Sequence, residues 1–303
     1  MSDFHFELKP AKKTAVPPLI GLWGKSGSGK TYSAILLARG LVGAKGKIAV
    51  IDTENGRAKF YSELAGGWHH LDIQPPFSSD KYTAAFKYCE EQGAKAIVVD
   101  SMSHAWDGDG GVLDQADEAG GVGLSKWKKP KFAYKKMMNS LLRSPIPVIF
   151  CIRAKDGVKQ IGRGKEAEIV SIGETPISEK SFIFEMTIDL CMTKDGHYNL
   201  EKSKAIPEAL RGVIKSDGRV GVDMGAAIAE WSGSGVTVDP EAIKLKQAGK
   251  DAVLGGLASY TAWGKGLSDE QKAKVKLYLA DWTKEAKAVD AAAQQPTEEE
   301  VAI

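Results

Sequence analysis

The feature that most constrains the fold of this chain is a glycine-rich loop between an apolar run and a helix-like run. Its pattern is a glycine, four residues and then Gly-Lys-Thr, at positions 24–31. Residues 19–23 form the strand-like run, and residues 32–39 form the helix-like run, which is predicted to stop at Gly40. Strand, loop and helix in this order place backbone N–H groups and a helix N-terminus around a polyphosphate. The pattern therefore predicts a phosphate-binding loop rather than a plain glycine-rich turn.

Each part of this loop has an expected chemical role. Gly27 and Gly29 let the backbone approach the phosphates closely, and Lys30 is expected to reach the β- and γ-phosphates. The Thr31 hydroxyl is expected to hold Mg²⁺. We therefore predict ATP and Mg²⁺ as the bound groups. The residues expected to bind the nucleotide are Gly24, Lys25, Ser26, Gly27, Ser28, Gly29, Lys30 and Thr31.

Two further apolar runs end in carboxylates. Residues 47–54 end with Asp52 and Glu54, and residues 94–101 contain Asp100. Unbroken apolar runs suit a parallel sheet that is covered on both faces, and ligands bind at the carboxyl ends of its strands. We expect Asp100 to lie on the Mg²⁺ side and Glu54 to polarise an attacking water. The alternatives are that Asp100 caps a turn and that Asp52 or Glu54 faces solvent.

These motifs resemble those of the RecA-like ATPases, and more narrowly the RecA-like nucleotide-binding proteins that phages carry for recombination. The resemblance covers residues 16–230 and implies a RecA-like P-loop NTPase core of the α/β class. In that core a mainly parallel central sheet is flanked by helices. The second strand, 51–54, matches the place of the family's catalytic glutamate, which implies catalytic roles for Glu54 and Lys30.

A late stretch, residues 200–204, matches the place where RecA-like filaments carry a lysine pair that reaches the ATP of the neighbouring subunit. The resemblance therefore implies catalytic roles in trans for Lys202 and Lys204, and a homo-oligomer, filament or ring, with ATP between its subunits. A solvated turn is the alternative. Two residues depart from the family pattern: Lys25 within the loop, and Arg153, where RecA has a glutamine that senses the γ-phosphate.

A strongly basic segment follows the second carboxylate strand. Residues 126–165 contain twelve basic residues and one acidic residue, with aromatic rings at Trp127, Phe132 and Tyr134. Cations along a groove with stacking rings are typical of single-stranded nucleic acid binding, although a solvated helix face is the alternative. The RecA resemblance implies DNA-contacting loops at 108–123 and 154–180. The candidate contacts are Lys126, Trp127, Lys128, Lys129, Lys131, Lys155, Lys159, Arg163 and Lys165.

The chain is predicted to have four parts. They are an N-terminal extension (1–17), the ATPase core (18–230), a linker with a small helical C-terminal appendage (231–293) and an acidic disordered tail (294–303). Residues 231–235 are predicted to be the flexible linker. Residues 268–271 have the pattern of a helix capping box.

The composition and the first residues indicate the cellular compartment in which we expect the protein to act. The three cysteines have no metal-ligand spacing, and no apolar run approaches the 18 residues of a membrane span. The first residues lack a signal-peptide pattern. We therefore expect a cytoplasmic protein, in the host cytoplasm if it is phage-encoded, without a membrane partner.

The combined expectation is an ATP-hydrolysing protein that binds single-stranded DNA and acts in phage-type recombination by annealing or pairing. A single-strand binding protein is a further candidate partner. The alternatives are a small-molecule or nucleotide kinase, a DNA motor such as a helicase or packaging ATPase, and a regulatory NTP switch.

Overall fold

A computed structural model describes residues 16–120, 123–162, 168–216, 218–233 and 240–293. The chain divides into two compact units, Met1–Val236 and Thr237–Ile303. The strands of the first unit are β1 Leu19–Gly24, β2 Ile48–Asp52, β3 His69–Asp72, β4 Ala96–Asp100, β5 Val148–Ile161, β6 Glu168–Pro176, β7 Ile188–Met192 and β8 Tyr198–Asn199. Its helices are α1 Lys30–Val42, α2 Ser79–Glu91, α3 His104–Asp107, α4 Val112–Glu118, α5 Lys128–Leu141 and α6 Val222–Gly233.

The first unit is built on one central sheet with the order β3-β2-β4-β5-β1-β7-β8. Strands β3, β2, β4, β5, β1 and β7 are parallel to their neighbours, and β8 runs antiparallel to β7. Every residue of β1, β2, β4 and β7 is buried, as unbroken apolar runs require. The predicted fold class, α/β with a mainly parallel sheet flanked by helices, is confirmed.

The strand register brings the polar residues of the sheet together at one edge. Asp52 on β2 lies opposite Asp100 on β4, and Asp100 lies opposite Cys151 on β5. Gly24, the last residue of β1, lies opposite Arg153. The carboxyl ends of four strands therefore meet at the phosphate-binding loop, as in other open α/β sheets.

Gly40 does not end the first helix, contrary to the prediction. Helix α1 continues to Val42, and Gly40 is buried where α1 packs against α6. A Cβ atom at Gly40 would collide with the carbonyl oxygen of Val222, and one at Gly225 with that of Leu37. Gly40 thus allows the backbones of two helices to pack closely together. The glycine that follows the end of α1 is Gly43, which has a positive φ.

The segments predicted to be DNA-contacting loops contain regular structure. Residues 112–118 form α4, and the outer half of β5 pairs with β6 in an antiparallel two-stranded ribbon. Ala154 pairs with Pro176 at the base of this ribbon, and Ile161 pairs with Glu168 at its far end. The prediction of a loop from residue 154 onward was wrong. The backbone N–H and C=O groups of the two strands bond to each other, so the segment forms a ribbon although several of its side chains are charged. We refer to residues 154–161 with 168–176 as the ribbon.

In its described part, residues 240–293, the second unit contains three helices, α7 Pro240–Leu254, α8 Gly256–Lys265 and α9 Asp269–Ala293. Leu245, Tyr260, Val275 and Trp282 are buried among them. The predicted capping box is confirmed, since Gln271 N donates to Ser268 Oγ and Ser268 N donates to Gln271 Oε1.

Several predicted segments fall at or beyond the limits of the description. Residues 231–233 of the predicted linker form the last turn of α6, and 234–235 lie outside the described residues. Residues 1–15 of the N-terminal extension and the whole tail, 294–303, also lie outside them. Within the described part of the chain, none of the helices is both long and apolar enough to span a bilayer.

Candidate nucleotide-binding site

The phosphate-binding loop joins the end of β1 to the start of α1. Gly27 and Gly29 have φ values of 82° and 85°, a left-handed conformation that a glycine adopts without strain. Helix α1 begins at Lys30, directly after Gly29. Its first backbone N–H groups therefore point into the loop, and the positive end of the helix dipole favours a phosphate there.

Lys30 is buried within this loop and bonded to neutral oxygen atoms. Its Nζ donates to the carbonyl oxygens of Gly24 (2.9 Å) and Lys25 (2.8 Å) and to Ser28 Oγ (3.4 Å). Burial lowers the pKa of Lys30, while the nearby carboxylate of Asp100 raises it. A phosphate entering the loop would meet a cation already held in place and partly stripped of water, which strengthens their attraction.

Thr31 and Asp100 form the part of the site suited to a metal ion. Thr31 Oγ1 donates a 2.5 Å hydrogen bond to Asp100 Oδ2. Burial raises the pKa of Asp100 to about 6, and the neighbouring Glu54 and Asp52 add to the rise. A hydroxyl and a carboxylate are the hard oxygen ligands that Mg²⁺ takes together with substrate phosphates. These two residues therefore fit the expected ion.

Asp52 is not free for catalysis, because it supports the backbone around Glu54. Its carboxylate is fully buried and accepts hydrogen bonds from Glu54 N (2.7 Å) and Ala58 N (3.1 Å). Its Oδ2 also lies 3.2 Å from His70 Nε2. Asp52 thus has a structural role, which leaves Glu54 as the candidate base of the two alternating carboxylates.

Glu54 is bound by Arg153 in a two-pronged ion pair. Arg153 Nε donates to Glu54 Oε1 (2.8 Å), and Nη2 donates to Oε2 (2.6 Å). The Glu54 side chain is 14% exposed and that of Arg153 is 43% exposed. The residue that departs from the RecA pattern therefore contacts the candidate base directly.

A cavity of about 240 Å³ contains these groups. Its lining includes Gly27, Lys30, Thr31, Glu54 and Asp100 from the predicted set. Sequence reasoning missed four further lining residues, although three of them follow Glu54 within seven positions. These four are Tyr32, Arg57, Phe60 and Tyr61.

Lys25 extends away from the loop toward the ribbon. Its Nζ lies 3.0 Å from Asp156 Oδ1 and 3.8 Å from Glu174 Oε1. The hydrogen bond to Asp156 raises the pKa of Lys25. The side chain thus ties the phosphate-binding loop to both strands of the ribbon.

Lys202 pairs with Glu174 of the ribbon, the residue that Lys25 also approaches, and Lys204 lies two positions further along the chain. Lys202 Nζ lies 3.1 Å from Glu174 Oε2, and Lys204 Nζ lies 5.2 Å from the centre of the Phe184 ring. The buried carboxylate of Asp189 accepts a hydrogen bond from the Lys204 backbone N–H (2.7 Å) and fixes the segment. Within the described residues, the lining of the nucleotide cavity includes neither lysine.

The predicted DNA contacts lie in two places, around Trp127 and on the ribbon. The first of these is a pair of stacked rings with lysines beside it. Trp127 stacks on Trp106, with ring centres 6.4 Å apart and planes 19° apart. Lys126 and Lys131 lie 5.7 and 5.9 Å from the centre of the Trp127 ring. A shallow cavity of about 390 Å³ here is lined by Trp106, Leu124, Trp127, Lys128 and Lys131, which we call the tryptophan surface.

The other candidate contacts are distributed around these two places. Lys129 is exposed at the start of α5, and Lys155 and Lys159 lie on the ribbon. Arg163 and Lys165 lie outside the described residues. Tyr134 is buried in the core and unavailable to a base, whereas Phe132 is 71% exposed. Trp106 was missed because it lies 20 positions before the basic segment.

The AAA domain family model matches residues 17–181, more than half of the chain. Solved structures similar to this one include a KaiC-like protein from Pyrococcus horikoshii, with 12% identity, 56% of this chain and 94% of that chain covered, and a TM-score of 0.30. Another is the flagellar accessory protein FlaH from Methanocaldococcus jannaschii, with 14% identity, coverage of 52% and 78%, and a TM-score of 0.27. No curated protein matches the chain significantly. On the family match, the chain belongs to the AAA domain family.

Proposed function

We propose that this protein hydrolyses ATP, binds single-stranded DNA and acts in phage-type recombination by annealing or pairing. The observation that carries the DNA part is the tryptophan surface, where stacked aromatic rings are surrounded by lysines on the same unit as the nucleotide site. Rings that stack on bases and cations that neutralise phosphates are the combination that single-stranded nucleic acid requires.

In hydrolysis the residues of the site have separate roles. Lys30 and the N–H groups at the start of α1 bind and orient the phosphates, while Thr31 and Asp100 would hold Mg²⁺. When bound there, Mg²⁺ would neutralise part of the negative charge of the phosphates. Glu54 accepts a proton from water as the water oxygen bonds to the γ-phosphorus. The bond between that phosphorus and the bridging oxygen breaks, which leaves ADP and inorganic phosphate.

The electrostatics of the tryptophan surface favour an anionic partner. Lys126 pairs with Asp117 (2.7 Å) and Lys131 lies 3.7 Å from Glu179 Oε1, whereas Lys128 and Lys129 are exposed. The exposed apolar side chain of Leu124 (87%) completes a surface that offers both contact area and positive charge. A polyanion with planar bases satisfies both properties, whereas a small phosphorylated substrate would leave most of this surface unused.

We further propose that the protein works as a homo-oligomer, filament or ring, with ATP between adjacent subunits. Lys202 and Lys204 would then act on the ATP of the neighbouring subunit, in the manner of an arginine finger. A single-strand binding protein is a further proposed partner, since it would occupy the same DNA.

The direct test is the ATPase rate measured with and without single-stranded DNA. We expect stimulation by single-stranded DNA of mixed sequence, together with nucleotide-dependent annealing of complementary strands. ATP turnover that ignores DNA but transfers phosphate to a small molecule would favour the kinase. Directional unwinding or translocation would favour the motor, and binding of a protein without DNA would favour the NTP switch.

A further inference from the structure

Helix α3 has side chains in two different places, the surroundings of Glu54 and the tryptophan surface. The helix has four residues, about one helical turn, and follows β4. His104 at its start lines a cavity of about 350 Å³ together with Thr53 and Glu54. Trp106, two positions later, lines the tryptophan surface. A single turn of helix therefore connects the candidate base to the proposed DNA contacts.

His104 is bonded to the residue that precedes the candidate base. Its Nδ1 lies 2.7 Å from the Oγ1 of Thr53, which is 3% exposed. The same Oγ1 accepts a hydrogen bond from Ser101 N (2.8 Å), and Thr53 N donates to the carbonyl oxygen of Asp100 (2.7 Å). Burial lowers the pKa of His104, so the imidazole is mostly neutral at pH 7. The chain next to Glu54 is thus joined to the start of α3 at a buried position.

Trp106 joins α3 to the proposed DNA surface. Its ring stacks on Trp127 at 6.4 Å and meets the buried ring of Tyr134 edge-on at 5.9 Å. Lys131 Nζ lies 5.9 Å from the centre of the Trp106 ring. A base that stacks here, or a phosphate that attracts Lys131, changes the contacts of Trp106 directly.

The turn that contains α3 is tightly packed around His104. Phe77 stacks on the His104 ring at 4.9 Å, with the ring planes 27° apart. A Cβ atom at Gly108 would lie 2.8 Å from the carbonyl oxygen of His104 and from Cδ2 of Phe77. Phe77 N also donates to the carbonyl oxygen of Asp109 (2.7 Å). Because close-packed groups shift together rather than deform, a displacement of Trp106 is expected to move His104 as well.

We propose that α3 couples DNA binding to ATP hydrolysis, with His104 as a positioning residue that acts on Glu54 through Thr53. DNA on the tryptophan surface shifts α3, and the bond from His104 carries the shift to Thr53. Glu54, the next residue, then takes the position in which it contacts the attacking water. Within the described residues, the lining of the nucleotide cavity includes neither His104 nor Thr53, so both act through Glu54 rather than on the phosphates. This inference rests on the proposed function, in both its ATPase part and its DNA part.

The test uses full-length variants that remove or keep the bond between these two side chains. Thr53→Val and His104→Ala remove it, whereas Thr53→Ser keeps the hydroxyl and His104→Asn keeps a polar group near the position of Nδ1. His69→Ala, at an exposed histidine on β3, is the control. Anisotropy measures the affinity for a labelled single-stranded oligonucleotide without nucleotide. Phosphate release measures the ATPase rate without DNA and with saturating DNA, and the readout is the ratio of these two rates.

Coupling through this bond predicts a selective loss of DNA stimulation. The ratio should fall toward 1 in Thr53→Val and His104→Ala, by roughly 3- to 10-fold, since that is the range expected for one net hydrogen bond. Thr53→Ser, His104→Asn and His69→Ala should retain most of the ratio. The affinity for DNA should remain close to that of the natural chain in every variant, because other residues form the tryptophan surface.

Other results would overturn the coupling. If the bond only stabilises the fold, Thr53→Val and His104→Ala lower both rates by the same factor and the ratio is unchanged. If Thr53→Ser loses the ratio as fully as Thr53→Val, the hydrogen bond is not its cause. If thermal melting shows that His104→Ala does not fold, the two Thr53 variants decide alone. A natural chain that binds no single-stranded DNA or hydrolyses no ATP refutes the proposed function itself, whereas a stimulated natural chain whose ratio persists in Thr53→Val refutes the coupling alone.

Discussion

Thr31 Oγ1 and Asp100 Oδ2 are joined by a 2.5 Å hydrogen bond, although 69 residues separate them in the chain. Thr31 lies in the first turn of α1, which follows β1, and Asp100 is the last residue of β4. These two strands are not neighbours, since β5 lies between them. The phosphate-binding loop returns the chain over the end of the sheet, so the first turn of α1 reaches Asp100 across β5. The two oxygen ligands suited to Mg²⁺ are therefore positioned by the sheet order rather than by local sequence.

Lys30→Ala should nearly abolish binding of ATP and its hydrolysis. Lys30 is buried among the loop carbonyls. We propose that it is the cation that neutralises the β- and γ-phosphates. Lys45→Ala, at an exposed position after α1, is the matched control and should retain both properties. Calorimetric titration with ATP and a phosphate-release assay measure the two. Unaltered hydrolysis in Lys30→Ala would refute the site assignment.

Glu54→Gln and Asp52→Asn should separate catalysis from stability. Glu54→Gln should bind ATP but hydrolyse it about 10²–10⁴-fold more slowly, since a positioned base contributes that much. Asp52→Asn weakens the buried acceptor of the Glu54 and Ala58 N–H groups and should lower the free energy of unfolding by about 1–3 kcal/mol. Steady-state kinetics and urea denaturation provide the measurements. If Glu54→Gln hydrolyses ATP normally while a well-folded Asp52→Asn is inactive, Asp52 rather than Glu54 is the catalytic base.

Asp100 should make the stability of the metal-free protein depend on pH. Burial raises its pKa from 3.8 to about 6, so the folded protein holds a proton between about pH 4 and 6 that the unfolded chain has released. The stability contribution of Asp100 should therefore fall as pH rises through this window, by roughly 3 kcal/mol in total. Asp100→Asn lacks this titration. Urea denaturation in a chelating buffer measures the free energy of unfolding of the natural protein and of Asp100→Asn at each pH. If the difference between these two free energies stays constant from pH 4 to 6, the prediction is contradicted.

The sequence allowed the site to be predicted where local pattern and strand polarity suffice. Apolar runs that end near Glu54 and Asp100 predicted that these two carboxylates meet at one edge, because parallel strands share their carboxyl ends. The bond between Glu54 and Arg153 could not be predicted in the same way. It joins residues 99 positions apart and depends on the register that sets Arg153 opposite Gly24.

Other features depended on contacts that a single segment does not reveal. Gly40 has the appearance of a helix-ending glycine, and only the approach of α6 explains why it lies inside α1. Trp106 joins Trp127 through tertiary packing across 20 residues. In both cases, tertiary contact overrides the local signal.

Lys202→Ala combined with Lys204→Ala should reduce ATP turnover while ATP binding is retained. The two lysines belong to a segment fixed by Asp189, and we propose that they act on the neighbouring subunit's ATP. Mixing this variant with Lys30→Ala should restore some turnover, because hybrid interfaces would combine an intact loop with intact lysines. Lys87→Ala with Lys95→Ala, two exposed positions, is the control for lost charge. If mixed assemblies form and no activity returns, the trans role is wrong.

The last prediction separates charge from stacking at the tryptophan surface. Replacing Lys128, Lys129 and Lys131 with Gln should make the salt dependence of single-stranded DNA binding shallower. The slope of log affinity against log salt should change by about 2 at most, since each phosphate contact contributes about 0.7. The matched control replaces three exposed lysines of the helical unit, Lys265, Lys276 and Lys287.

Phe132→Ala and Trp127→Ala should instead weaken binding without changing that slope, because stacking contributes about 1–3 kcal/mol per base and releases no counterions. Phe132 is the cleaner variant, since its ring is exposed, whereas Trp127 also packs on Trp106 and the core. Fluorescence anisotropy with labelled oligonucleotides over a range of salt concentrations measures both quantities. If none of these changes affects affinity, or if the protein binds no DNA at low salt, the recombination proposal fails. The kinase or the NTP switch would then be the better account of this protein.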